Sequence, residues 1–371
     1  MMRIFVIDSS NLEVRIYRGL DEIGSIQREW FDLAESLGSA GLTQYPEYML
    51  AYLQSFDTVG DDVFVACVLN QNRLVAIFPC RLVAERVFGI RLRVLDFPDY
   101  PVPIRDVLFG PSESSTAILQ AFTSQIGLST GLGWDYMRFR GVLESSVLVK
   151  LAAKFRRSSA MHYDFSHLLS LKTDQYVETV LNSKARNNLR RNRKKLSSHG
   201  EYEFRTFTKF PELEDAYQAF LETEAAGWKS VKGGKRAIAL HEDQSAFYLD
   251  LLRRCSKSER SHIHVLYLNG KPIASDLCIL TAKSCYSLKH GYDEQYSDLA
   301  PGNLLREYAI EYYSRSRNIE SIDLVSGMAW HLTWRPERRK VFDVRFYNNS
   351  LRGILLYYFR RIRRSATQAV D

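Results

Sequence analysis

"YDEQYSDLAPGNLL", residues 292–305, decides how the second half of the chain is read. A tyrosine-rich, strand-like run stops at Ala300-Pro301-Gly302. Helical spacing then begins, with Leu305, Tyr308, Ala309 and Tyr312 on one face of a helix predicted over 302–315. Proline fits the turn before a helix, and glycine lets a ligand approach the backbone closely. The first amides of such a helix have no partner within it, and with the helix dipole they favour a phosphate. An ordinary strand-to-helix turn uses the same residues, so the pair takes its meaning from what surrounds it.

Just upstream, 262–268 and 272–280 read as two strands joined by Asn269-Gly270-Lys271, a hairpin signal. An earlier pair, 62–69 and 74–83, is joined by Asn70-Gln71-Asn72-Arg73. "VACVLNQNRLVAIFPCRL" (65–82) and "IHVLYLNGKPIASDLCIL" (263–280) share a shape: an apolar strand, an asparagine turn, a short apolar triplet ending in alanine, and a second strand. Their separation is of domain scale, so the chain reads as two similar α/β domains in tandem. The break falls near 155–159 (FRRSS), giving an N-terminal domain over 1–158 and a C-terminal domain over 159–371. Further strands are predicted at 13–17, 91–97, 134–140, 162–171, 321–325 and 341–347. Helices are predicted at 21–36, 117–127, 183–200, 211–224 and 351–364.

At 371 residues, 46% hydrophobic and 25% charged, the chain has globular composition and room for two cores. Its five cysteines have no C-x-x-C spacing and leave one over. They read as buried thiols in a reducing compartment, not as a disulfide frame or a metal site. The start, MMRIFVIDSS, is too weak for a signal peptide, and no apolar run is long enough to span a bilayer. A soluble, cytoplasmic protein is expected. A net charge of +7 fits an anionic ligand, a nucleic acid or an acidic membrane surface.

The order of hairpin, strand, Pro-Gly turn, helix and strand resembles the GNAT superfamily of N-acyltransferases. More closely the chain resembles its tandem FemAB-like branch, and within it the CelD-type family tied to cellulose and exopolysaccharide synthesis. The residues that carry this are Lys195-Leu196 and Gly200 closing a basic helix, Gly227-Trp228-Lys229, Asn269 to Ala274, Tyr292-Asp293-Glu294, Pro301-Gly302-x-Leu304-Leu305 and Ser326-Gly327. The superfamily's glycine-rich phosphate loop is absent, and Pro301-Gly302 stands in its place. Where the tandem family tends to carry a Tyr-Lys pair, this chain has Trp330-His331.

The resemblance implies two tandem GNAT-like domains, each a mixed sheet flanked by helices, with the chemistry in the second. It implies acyl-coenzyme A as cosubstrate, no permanently bound cofactor, no metal, and an acceptor amine on an amino sugar or peptide. Tyr292, Pro301, Gly302, Asn303 and Leu304 would receive the cosubstrate. His290, on a strand leading to the Pro-Gly turn, suits an amine general base, since a free imidazole titrates near 6.5, though a packed strand histidine accounts for it equally well. Asp293 is the alternative base. His331 would protonate the leaving thiolate or hold the acceptor, and Trp334 lies in the same aromatic segment.

Asp276, alone in an apolar strand, would orient the amine, though an exposed strand face accounts for it equally well. Trp228-Lys229 would wall the acceptor site, or else pack at a helix end. Arg186 and Arg190, four apart on the basic helix, suit a phosphorylated acceptor or a merely solvated face, with tRNA behind both. The last helix mixes apolar residues with arginines, which fits peripheral contact with an anionic inner-membrane face through 350–364 or a closing helix packed on the sheet. Two rival functions stand beside the acyltransferase: an aminoacyl-tRNA-dependent Fem-like transferase, and a non-catalytic adaptor of a polysaccharide-synthesis complex.

Overall fold

A computed structural model describes residues 11–56, 62–87, 89–111, 114–130, 133–173, 175–227, 236–316 and 318–368, without the side chains of 128–130 and 363–368. The chain groups into two compact units. One runs to residue 53, continues through Asp164 and resumes at Lys340. The other takes in 54–56 and 165–339.

The first unit opens with β1 (Leu12–Tyr17), α1 (Gly19–Ser25), α2 (Gln27–Leu37) and α3 (Pro46–Ser55). Next come β2 (Asp62–Asn70), β3 (Arg73–Val87), β4 (Ile90–Asp96), the short β5 (Leu108–Phe109), α4 (Ser115–Thr130), β6 (Tyr136–Leu143) and α5 (Val147–Ala152). The helix predicted over 21–36 is two helices. At Ile26 the backbone leaves the helical region, with φ −100° and ψ 5°. Strands β1 to β4 form an antiparallel meander, and β6 then lies parallel to β4.

The rest of the chain comprises β7 (Ser158–Ser170), α6 (Tyr176–Val180), α7 (Ser183–Ser197), β8 (Tyr202–Phe207), α8 (Glu212–Ala225) and α9 (Glu242–Ser256). After these come β9 (Ser261–Leu268), β10 (Lys271–Leu280), β11 (Ser284–Tyr292), α10 (Pro301–Ser314), β12 (Ser321–Asp323), β13 (Glu337–Tyr347) and α11 (Leu351–Gln368). Strands β8 to β11 repeat the antiparallel meander, and β12 lies parallel to β11. Both units are thus mixed sheets of one strand order.

The duplication extends to irregularities. Each central hairpin turns on two residues with positive φ, Gln71 and Asn72 in one and Asn269 and Gly270 in the other. Such turns match the twist of the flanking strands. Each return strand then skips its third residue, Val75 or Ile273, as a β-bulge. The sixth position differs in its source. By chain order β7 follows β6, yet it pairs antiparallel with β12, while β13, which follows β12, pairs antiparallel with β6. The segment from Lys340 onward, expected in the second domain, therefore groups with the first unit.

Helix α8 and helix α10 both pack on β10. That explains why β10 is a buried run from Ile273 to Ile279 rather than an alternating strand. Asp276 in its middle is not on an exposed face: it is wholly buried, as is Arg306 of α10. Arg306 Nη1 lies 2.9 Å from Asp276 Oδ2, Arg306 Nη2 donates to Ser287 Oγ at 2.9 Å, and Ser287 Oγ donates to Asp276 Oδ1 at 2.7 Å. Burial alone would raise the Asp276 carboxyl, but Arg306 and His290 outweigh it and hold it well below the usual carboxylate range. Further along α10, Tyr313 Oη contacts His262 Nδ1 at 3.0 Å and His264 Nε2 at 2.9 Å. Burial pushes these histidines down to about 4 and about 3.

Asp276→Ala would leave Arg306 buried without its counter-charge, at an expected cost of about 3–5 kcal/mol. Asp276→Leu combined with Arg306→Met should recover much of that loss in urea denaturation. A single-variant cost under about 1 kcal/mol would show that the pair is not closed to water as described. The histidines set a pH dependence. An unfolded histidine titrates near 6.5, so their contribution is complete above about that pH and is lost as pH falls through the lowered folded values. His262→Gln should flatten the fall in melting temperature between about pH 6.5 and 4, a linkage of roughly 3 kcal/mol. An unaltered profile would assign the acid sensitivity elsewhere.

Candidate functional site

Strands β11 and β12 pair over only three positions, Ser284 with Ser321, Cys285 with Ile322 and Tyr286 with Asp323. Beyond them β11 runs on to Tyr292, whereas the chain after Asp323 turns away through Val325, which has a positive φ of 51°. A cavity of about 600 Å³ opens where they part. One wall is β11 from Ser287 to Tyr292, and the other comes from Leu324–Ser326, Met328, Trp330 and His331. Backbone groups of β11 that would have met β12 face this space instead, because β10 serves only the other edge.

The floor is the start of α10. Asp293 caps a 3₁₀ turn over Glu294–Leu299 by accepting from the Gln295 amide at 3.0 Å. Ala300 then takes a left-handed conformation, φ 51° and ψ 48°, which a non-glycine residue adopts at a cost. That reversal starts α10 at Pro301 with no side chain capping it. The Asn303 and Leu304 amides both reach the Ala300 carbonyl. Pro301, Gly302 and Asn303 line the cavity, and Gly302 leaves open the space that a side chain would fill. A Cβ there would stand 2.8 Å from His290 Nε2 and 3.3 Å from Tyr292 Cδ1.

His290 is placed from both sides. Its Nδ1 faces Asp276 Oδ1 at 3.8 Å, an ion-pair separation rather than a hydrogen bond, and its Nε2 lies against Gly302. Its ring is 5.8 Å from that of Trp330. His331 is buried. Its Nδ1 contacts the Ser326 carbonyl at 3.1 Å and His167 Nδ1 at 3.2 Å. A carbonyl only accepts, so His331 Nδ1 carries the proton and Nε2 keeps the lone pair. Burial first, with Arg306 and His167 acting in the same direction, pushes its pKa down to about 3. His331 is therefore neutral near pH 7 and holds no imidazolium proton for a leaving thiolate.

The other sequence candidates separate by position. Tyr292 is on the wall. Leu304 is buried in the core behind it. Asp276 sits behind the wall and reaches the cavity through His290 and Arg306. Asp293 pairs with Lys271 at 2.9 Å and caps the turn at Gln295, and it does not line the cavity. Trp334 is buried, and its carbonyl accepts from Tyr176 Oη at 2.7 Å. Arg186 and Arg190 border a separate depression of about 260 Å³. Arg186 donates to the carbonyls of Glu178 and Leu181 and so ties α7 to α6, while Arg190 lies 3.4 Å from Glu178. Trp228 and Lys229 lie outside the described residues.

Several wall residues escaped sequence reasoning. Ser287 and Arg306 are a serine in a strand and an arginine on an amphipathic helix, ordinary in sequence. His167, which contacts His331 but does not line the cavity, comes from β7, far away in the chain. Glu224, at the end of α8, borders the cavity and accepts from the Ile238 amide at 2.8 Å. Its only signal was a carboxylate just before Gly227.

With this geometry in place, comparison is informative. Residues 183–331 match the family model described as an acetyltransferase (GNAT) domain, a span that holds every residue lining the cavity. No curated protein sequence matches the chain. Among solved structures, FemX is similar over 89% of this chain and 98% of its own, at 10% identity and a TM-score of 0.60. The C-terminal domain of an Agrobacterium fabrum protein named as a lysylphosphatidylglycerol synthetase is similar over 90% of this chain and 95% of its own, at 12% identity and a TM-score of 0.56. A conserved protein of unknown function from Bacteroides thetaiotaomicron is similar over 89% and 98%, at 14% identity and a TM-score of 0.53. Such identities speak for the fold alone. The fold is two tandem GNAT-like domains, and the match of residues 183–331 to a GNAT acetyltransferase domain supports acyltransferase activity.

Proposed function

We propose that the chain moves an acyl group from an acyl-coenzyme A to an acceptor amine, on an amino sugar or a peptide of an envelope or exopolysaccharide precursor. One observation carries this reading: the cavity between the parted strands β11 and β12 ends on the uncapped start of α10. The residues present fit the cosubstrate. Gly302 lets a pyrophosphate approach the first turn, where the helix dipole favours negative charge. The edge of β11 beyond its three pairs with β12 lines the cavity and would offer backbone amides to the thioester carbonyl as charge develops on its oxygen.

In this reading the amine nitrogen attacks the carbonyl carbon, a C–N bond forms, and the C–S bond breaks as thiolate leaves. His290 Nε2, at the cavity floor, accepts the amine proton. The Asp276 carboxylate facing Nδ1 holds the ring in place and favours the cation that forms. His331 Nε2, a fixed lone pair, accepts a hydrogen bond from the acceptor and orients it. No covalent enzyme intermediate is needed.

Gly302→Glu and Gly302→Gln separate charge from bulk. Both side chains must displace His290, but only glutamate repels a pyrophosphate. Calorimetry should therefore show coenzyme A binding weakened by glutamate at least ~tenfold beyond glutamine. Equal affinities beside normal melting curves would remove phosphate from the α10 terminus. His290→Ala should lower kcat about 100- to 10,000-fold with little change in cosubstrate affinity. A surviving rate and pH profile would reduce His290 to packing.

A further inference from the structure

Helix α11 is held by one face and exposes large apolar side chains on the other. On the inner face Leu356 packs with Leu92, Val94, Tyr136 and Tyr347 of the first unit. Any Cβ on Gly353 would collide with the backbone oxygens of Asn348 and Asp135, so the helix is seated tightly there. Arg360 is fixed too, with its guanidinium 4.7 Å from the centre of the Tyr136 ring.

On the outer face Leu351 is 73% exposed, Leu355 59% and Ile362 69%, with Tyr358 and Phe359 completing the stripe. These residues recur at three- and four-residue steps, so they share one side of the helix. Among the described residues this is a concentration of large exposed apolar side chains, and it lies on a docked helix. The charge is one-sided as well. Residues 351–368 contain Arg352, Arg360, Arg361, Arg363 and Arg364 and no acidic residue.

We propose that this outer face of α11 binds an anionic lipid surface. The leucine, isoleucine and aromatic side chains would enter the boundary between headgroups and acyl chains, while arginines along the helix meet lipid phosphates. Charge selects this occupant over a second copy of the chain: pairing two such helices would bring arginines against arginines with no carboxylate on either to offset them. A cationic, acid-free helix with an apolar stripe instead complements a negative membrane. The inference is independent of the acyltransferase reading, because it uses no residue of the cavity.

The test is co-sedimentation of the full chain with vesicles of phosphatidylcholine alone, or with about 30 mol% phosphatidylglycerol. Pelleting is expected with the anionic vesicles only, and it should weaken at about 0.5 M salt as the charges are screened. Leu355→Glu with Ile362→Glu, both at exposed positions, should cut the bound fraction at least ~tenfold while the melting curve stays unchanged. Three results would overturn the proposal: no pelleting with anionic vesicles, equal pelleting with neutral ones, or a double variant that pellets like the parent. So would light scattering that shows a dimer which the double variant converts to monomer, since a second copy would then be the occupant.

Discussion

The Asp276–Arg306 pair is the interaction on which the second unit's site depends. It links the middle strand of the meander to the helix whose first turn forms the cavity floor, and Ser287 brings the next strand into the same bond set. A buried ion pair adds little net stability compared with a well-packed apolar substitute, but its geometry is demanding. Here that demand fixes the rotation of α10 on the sheet. The same Asp276 carboxylate faces His290, and α10 starts at the Ala300 turn on the cavity floor. One fully enclosed pair thus links the packing of α10 to the wall of the cavity.

The cavity itself arises from a limit on strand pairing. Parallel strands need matched lengths to stay bonded, and β12 offers three residues against nine in β11. Past Tyr286, β11 pairs with no strand on that side among the described residues, and Ser287 to Tyr292 line the cavity instead. Such an edge costs free energy unless water or a ligand satisfies it. An acyl thioester, the cosubstrate proposed above, has a carbonyl to accept hydrogen bonds and an extended chain to lie alongside the strand.

Much of this was legible in the sequence, for identifiable reasons. The two asparagine turns announced their hairpins because left-handed backbone restricts residue choice. Pro301-Gly302 marked the helix start because few residues suit that position. The alternation around His290 set it on a strand leading to the same turn. Asp276 was noticed as an oddity, but its partner Arg306 was invisible: nothing local to an amphipathic helix distinguishes an arginine aimed inward from one in water. Asp293 and Trp334 were read as site residues because they stand beside it in sequence, yet their side chains serve a turn and the core. Strand β8 and helix α9 were overlooked although α9 carries a plain stripe of Phe247, Tyr248, Leu251, Leu252 and Cys255. The source of each sixth strand could not be seen at all, since a strand's own residues do not name its neighbour.

That last feature decides how the chain can be divided. β7 completes the sheet of the second unit and β13 that of the first. A gene cut at residue 158 would therefore divide the chain unequally. The C-terminal fragment would keep β7 to β12, the strands of the second unit's sheet, together with β13 and α11, which group with the first unit. The N-terminal fragment would lack β13 and leave β6 without that partner.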